Sequence, residues 1–154
     1  MILIGFLLGI LTNLMPLRAE EESKQHKLPD ITLENVNGES FNLTKVDDLT
    51  LLFFWLPQSD SCLIQLSRLQ EFINNNDINI LAIAIGDIKQ SELLEIKTKL
   101  KLEFPLLIDR KAKLSQKFKL ATIPTTFIYD PQADDLDTII GSYETTKIDK
   151  KINN

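Results

Sequence analysis

Apolar residues fall along the chain in blocks of two kinds, continuous runs and helically spaced positions. Two blocks, 49–56 and 78–85, are nearly uninterrupted runs of aliphatic and aromatic side chains, LTLLFFWL and INILAIAI. Runs of this length without polar alternation are typical of strands buried on both faces of a sheet. We therefore expect both segments to be central strands of one sheet.

The rest of the chain alternates between helical spacing and short apolar segments. Asn37-Gly38 separates two short strand-like segments and suits the turn of a β-hairpin. Ser91 is a plausible N-cap for the second predicted helix. Strands that alternate with helices predict an α/β fold, a central mixed β-sheet flanked by helices, with an N-terminal β-hairpin extension. The predicted helices are 61–73, 91–102, 112–118 and 145–152, and the further predicted strands are 31–33, 40–43, 106–108, 125–129 and 137–141.

The first residues of the chain resemble an export signal. Residues 1–17 carry no charged side chain. The length of this segment lies at the short end of the about 17–25 residues that span a bilayer. We expect 1–19 to be a signal peptide or membrane anchor, 20–28 a linker and 29–154 the folded domain. This predicts an exported, periplasmic or otherwise extracytoplasmic domain, associated with the membrane if 1–17 is retained.

Composition narrows the chemistry further. The net charge of -5 opposes binding to nucleic acid, whose phosphates repel an acidic chain. The chain has 1 cysteine and 1 histidine, too few for a structural zinc site or an internal disulfide. It also lacks a glycine-rich phosphate loop. We therefore expect no metal and no cofactor.

The single cysteine lies where chemistry is plausible. Cys62 follows the first buried strand and falls in the first turn of the next predicted helix. Backbone N–H groups and the helix dipole favour a thiolate there. Free cysteines are also among the most buried residues of proteins, so a packing role for Cys62 is an equal alternative at this point.

Four segments, in order, resemble the thioredoxin-like superfamily, in particular the TlpA/ResA-type and AhpC/TSA-related redoxins of exported bacterial redox systems. The segments are PDITL at 29–33, FW at 54–55, FPLLID at 104–109 and IPTTFIYD at 123–130. The resemblance implies a thioredoxin-like fold and membership of the thiol–disulfide oxidoreductases. It also implies that Pro124 is cis and lies against the redox motif.

The chain departs from this family at the redox motif itself. Where the family has C-x-x-C, this sequence has S-D-S-C. The resemblance makes Ser59 the counterpart of the attacking cysteine and Cys62 that of the resolving one. It also assigns substrate binding to Trp55, Ile123 and Pro124. A hydroxyl is too weakly acidic to replace the thiolate and forms no disulfide, so two-cysteine turnover within one chain is excluded.

Three functions follow as hypotheses. The leading one is attenuated or single-thiol redox activity, in which Cys62 forms mixed disulfides with a thiol-containing partner or glutathione. The second is a non-catalytic module that holds an extended peptide in a groove between Trp55, Ser59 and Pro124. The third is a one-cysteine peroxidase, since peroxiredoxins use S-x-x-C or T-x-x-C at this turn. Against the third, peroxiredoxins carry an arginine where this chain has Ile123 and Pro124.

Overall fold

The computed structural model describes residues 27–153. The predicted signal or anchor segment 1–19 and nearly all of the linker 20–28 lie outside the described residues. Within 27–153, no helix is long and apolar enough to cross a bilayer. The elements are β1 (Thr32–Asn35), β2 (Ser40–Asn42), β3 (Thr50–Trp55), α1 (Asp60–Ile73), β4 (Asn79–Ile85), α2 (Gln90–Lys99), β5 (Leu106–Asp109), α3 (Lys113–Lys117), β6 (Thr125–Asp130), β7 (Asp135–Ile140) and α4 (Thr146–Ile152).

The strands form one mixed sheet in the order β2-β1-β5-β4-β3-β6-β7. Strands β3, β4 and β5 run parallel to one another, while the other neighbouring pairs are antiparallel. All six residues of β3 are buried, as expected for a strand covered on both faces. The predicted central position of the two apolar runs and the mixed sheet are confirmed.

The N-terminal hairpin turns at Gly38, whose φ of +79° suits glycine. The Asn35 side chain accepts hydrogen bonds from the N–H groups of Asn37 and Glu39 and so holds the turn. The hairpin is part of the main sheet, because β1 pairs antiparallel with β5. Hydrophobic pattern alone does not predict this pairing.

Each face of the sheet carries its own hydrophobic core. Alternate residues of β3 point to opposite faces, so Trp55 packs with Leu66 of α1 on one face and Phe54 packs on the other. On the second face the Phe118 and Phe127 rings meet edge to face with centroids 4.6 Å apart. The two cores fix the position of β3 between them.

The start of α2 differs from the sequence expectation. The helix begins at Gln90 with Lys89 as its N-cap, and no side chain accepts a capping hydrogen bond. Ser91 lies inside the first turn, so its prediction as the N-cap is wrong. The apolar spacing of this segment marks the helix but not its first residue.

Tyr143 ties the C-terminal segment to the rest of the domain. The Gln65 side-chain oxygen accepts a hydrogen bond from the Tyr143 N–H at 3.0 Å, and Arg68 donates a hydrogen bond to the Tyr143 carbonyl at 3.2 Å. Its hydroxyl lies 2.8 Å from the Thr126 hydroxyl in a buried site. Burial raises the pKa of Tyr143 to about 12, while the hydrogen bond with Thr126 opposes this rise.

We predict that Tyr143→Phe lowers the free energy of unfolding by about 1 kcal/mol at about pH 8, through loss of one buried hydrogen bond. The raised folded-state pKa favours the neutral phenol. Its contribution to stability is therefore fully present below the ordinary pKa of 10.0 and is lost as the pH rises through about 12. Urea unfolding of both proteins should show the difference narrowing by about pH 11. An equal difference at both pH values contradicts this prediction.

Candidate functional site

The candidate site begins where β3 ends. A short loop leads from Trp55 to Ser59, which is half-buried and is the N-cap of α1. The Ser59 carbonyl accepts from the Cys62 N–H at 3.0 Å, and its hydroxyl lies 3.4 Å from the same N–H. Serine is among the preferred residues at this position because its oxygen satisfies an unpaired helix N–H group. Ser59 thus has a clear structural role.

Among residues 27–153, no base that could activate the Ser59 hydroxyl is hydrogen-bonded to it. Its side-chain neighbour is the Ser61 hydroxyl at 2.9 Å. The only histidine of the sequence, His26, lies outside the described residues. A serine nucleophile needs a base within hydrogen-bond reach. The described geometry therefore gives Ser59 a capping role, and its catalytic role stays a prediction.

Cys62 is a free thiol with an exposed fraction of 0%. It is the third residue of α1 and belongs to the core cluster that includes Trp55 and Leu66. The predicted place of Cys62 in the first helical turn is confirmed, and the side chain faces the core. A reagent or partner thiol can reach this sulfur only if the packing around it opens locally.

The Ile123–Pro124 peptide bond is cis, as the resemblance implied. Strand β6 begins just after it and pairs antiparallel with β3, with Thr125 opposite Phe54. The register therefore brings Pro124 beside Trp55, at the end of the sheet from which the Ser59 turn leaves. Pro124 is buried and Ile123 is half-buried.

Trp55 lies beneath this end of the sheet. Its side chain has an exposed fraction of 0%, and the indole N–H has no hydrogen-bond partner among residues 27–153. Ser59 and Ile123 are the more exposed of the predicted site residues. The roles of Trp55, Ile123 and Pro124 in substrate binding stay predictions.

Sequence reasoning missed Ile140 at the rim of the site. This side chain is 66% exposed and lies opposite Thr125, next to the cis-proline. The Gly141 N–H donates to the Pro124 carbonyl at 2.8 Å and joins the two segments. An isoleucine in a short strand carries no functional signal until the strand order is known. No group of acidic, thiol or imidazole side chains within 27–153 has the geometry to hold a metal ion.

A mixed sheet with a cis-proline beside the strand–helix turn defines a thioredoxin-like fold, and the predicted fold class is confirmed. The AhpC/TSA family model matches residues 25–134, and the chain belongs to the AhpC/TSA family.

Similar proteins agree with this assignment. Sporulation thiol-disulfide oxidoreductase A of Bacillus subtilis is 27% identical over 142 residues, which cover 88% of this chain and 85% of the relative. Thiol-disulfide oxidoreductase ResA of Geobacillus kaustophilus is 23% identical over 128 residues, covering 80% of this chain and 73% of the relative. A secreted Mycobacterium tuberculosis disulfide oxidoreductase has the same fold, with a TM-score of 0.70, 16% identity, and coverage of 80% of this chain and 95% of that one. The redoxin resemblance is confirmed.

We predict that Cys62 in the native protein reacts with a soluble thiol reagent at least about a hundredfold more slowly than in urea. This factor corresponds to a local opening free energy of ~3 kcal/mol. The control is Ser59→Cys combined with Cys62→Ser, which carries its single thiol at the half-exposed cap and should react quickly without urea. Stopped-flow absorbance measures both rates. Equal rates for the two native proteins contradict the burial of Cys62.

Proposed function

We propose that this chain is an exported redoxin of the thiol–disulfide oxidoreductase type with attenuated, single-thiol activity, and that it binds an extended thiol- or disulfide-bearing segment of a protein partner at the cis-proline end of its sheet. One observation carries the proposal. A half-buried capping serine stands at the start of α1, while the thiol of Cys62 lies buried in the first turn, three residues further on.

The proposed chemistry is a single exchange step. The Cys62 thiolate attacks one sulfur of a partner disulfide, so one S–S bond forms, the partner's S–S bond breaks, and its second sulfur leaves as a thiolate. The number of disulfide bonds is unchanged. Because the chain has no second cysteine, release of the adduct needs an external thiol. Burial of Cys62 makes the step slow, since the packing around the sulfur has to open locally first.

Partner recognition is assigned to the cis-proline end of the sheet. Ile123 is half-buried and Ile140 is largely exposed, so both offer apolar surface beside the Ser59 turn. An extended segment placed there would gain backbone hydrogen bonds and apolar contacts. Trp55 and Pro124 would support this surface from below.

Export is supported by two observations. Residues 1–17 are uncharged and mostly apolar, as signal peptides and membrane anchors are. The Mycobacterium tuberculosis protein with the same fold is described as secreted. The proposal covers both fates of residues 1–19, removal as a signal peptide and retention as a membrane anchor.

The second candidate is a non-catalytic binding module, and the complete burial of Cys62 favours it. In that case the same surface binds the partner without any covalent step. Peroxidase activity has less support, because peroxide has to reach a buried sulfur and the cis-proline stands where peroxiredoxins carry an arginine.

We predict that Ser59→Cys restores two-cysteine chemistry. The new thiol stands at the half-exposed cap and has Cys62 three residues along, so the variant should form an internal disulfide and reduce insulin at least about tenfold faster than the wild type with dithiothreitol as reductant. Ser59→Ala is the matched control, since it perturbs the same cap without adding a thiol. Equal activity of the two variants contradicts the assignment of Ser59 to the attacking position.

Capture of partners by the full-length chain separates the two candidates. We expect Ile123→Arg to reduce capture at least about tenfold, because a charge there disrupts the apolar contact. Leu94→Arg is the control, since Leu94 is 48% exposed on α2 and lies outside the site. If Cys62→Ser abolishes capture and reductant releases the partner, single-thiol exchange is supported. Capture that survives Cys62→Ser supports the binding module. Capture that Ile123→Arg leaves unchanged contradicts the proposed surface.

A further inference from the structure

Strand β7 forms one outer edge of the sheet, and its backbone groups face alternately inward and outward. Gly141, which lies opposite Pro124, donates its N–H to the Pro124 carbonyl at 2.8 Å. Hydrogen-bonded pairs alternate with non-bonded pairs along an antiparallel ladder. The outward-facing backbone groups of β7 therefore belong to Leu136, Thr138 and Ile140.

Carboxylates cover two of these three outward N–H groups. Asp135 Oδ1 accepts from the Leu136 N–H at 2.9 Å, and Asp137 Oδ1 accepts from the Thr138 N–H at 2.6 Å. Another isoleucine precedes Ile140, so the third N–H has no such carboxylate beside it. The carboxylates therefore cover the backbone N–H groups of Leu136 and Thr138 but not that of Ile140.

The Asp137 carboxylate is held from two sides. Its second oxygen accepts a hydrogen bond from the Lys151 ammonium of α4. A strand arriving at this edge has to displace both carboxylates from the backbone and strip water from them. Charges placed on an edge strand oppose strand addition for this reason.

The edge is also self-complementary. If Thr138 of one copy lies opposite Thr138 of a second copy in antiparallel register, Leu136 of each copy faces Ile140 of the other. The outward groups then meet in register and form roughly six backbone hydrogen bonds. Ile140, which is 66% exposed, becomes covered. One of the two neighbouring in-phase registers sets Asp137 against Asp137, and like charges directly opposite are destabilising. The other sets Ile139 against Ile139 and pairs only Thr138 and Ile140 of the three outward residues.

We propose that the β7 edge is a pairing surface for a second copy of this chain, and that Asp135 and Asp137 keep it closed and hold the chain as a monomer. The two carboxylates are the gate, and Leu136, Thr138 and Ile140 are the surface behind it. This proposal is independent of any reaction at Cys62.

Sedimentation velocity on the full-length chain tests the gate. We expect the wild type to sediment as a monomer. The double variant Asp135→Ala with Asp137→Ala should dimerise, with a dissociation constant at least about tenfold lower than that of the wild type. A tenfold change corresponds to ~1.4 kcal/mol of relieved edge repulsion. Lys151→Ala removes the ion pair but leaves both carboxylates, so it should behave as the wild type. Asp47→Ala with Glu95→Ala makes the same change of charge at exposed positions outside β7 and should also remain monomeric.

Thr138→Pro added to the double variant tests the surface itself. Proline removes an outward N–H and leaves the ladder with β6 intact, as edge strands tolerate, so the monomer should return. A dimer that persists overturns the proposal, as does a double variant that stays monomeric or a wild type that dimerises equally well. If circular dichroism shows the double variant unfolded, Asp135→Ala alone provides the test, because it keeps the Lys151 contact. A shift toward dimer supports the gate, and no shift contradicts it.

Discussion

The arrangement of the candidate site depends on the double pairing of β3. This strand is bonded to β4 on one side and to β6 on the other, and it is buried along its whole length. It cannot shift without breaking two ladders and opening both cores. Its last residue, Trp55, is therefore a fixed point from which the Ser59 turn departs. The same register with β6 brings the cis-proline at Pro124 to that end of the sheet.

The serine at the start of α1 keeps the helix cap of the candidate site but supplies no thiol. Ser59 accepts helix N–H groups as an N-cap and so stabilises the first turn. The hydroxyl of Ser59 supplies no thiolate, so the turn is capped but carries no thiol nucleophile at this position. Cys62 remains as a buried side chain in the core against Trp55. Under the proposed function, the cis-proline end of the sheet offers its surface to a partner while the burial of Cys62 slows thiol exchange, and this joins the two leading hypotheses in one physical picture.

Much of the fold could be predicted because its signals are local. The apolar runs predict β3 and β4, and Asn37-Gly38 predicts the hairpin turn, since chain length and turn chemistry decide these features. The orientation of Cys62 could not be predicted, because it depends on how α1 packs against the sheet. The carboxylates of Asp135 and Asp137 gave no signal either, since their role appears only when β7 is known to be an edge. The function of residues 1–19 stays a prediction.

The state of Cys62 in the native compartment is the most direct test of this account. Intact-mass spectrometry of the protein, isolated without reductant and quenched in acid, reads that state without any engineered change. A buried, slowly exchanging thiol predicts that most molecules carry a free sulfhydryl and that a minor fraction carries a mixed disulfide. Recovery of the chain chiefly as a Cys62 adduct or a sulfenic acid would contradict the account, because it requires a sulfur that reacts freely in the folded protein.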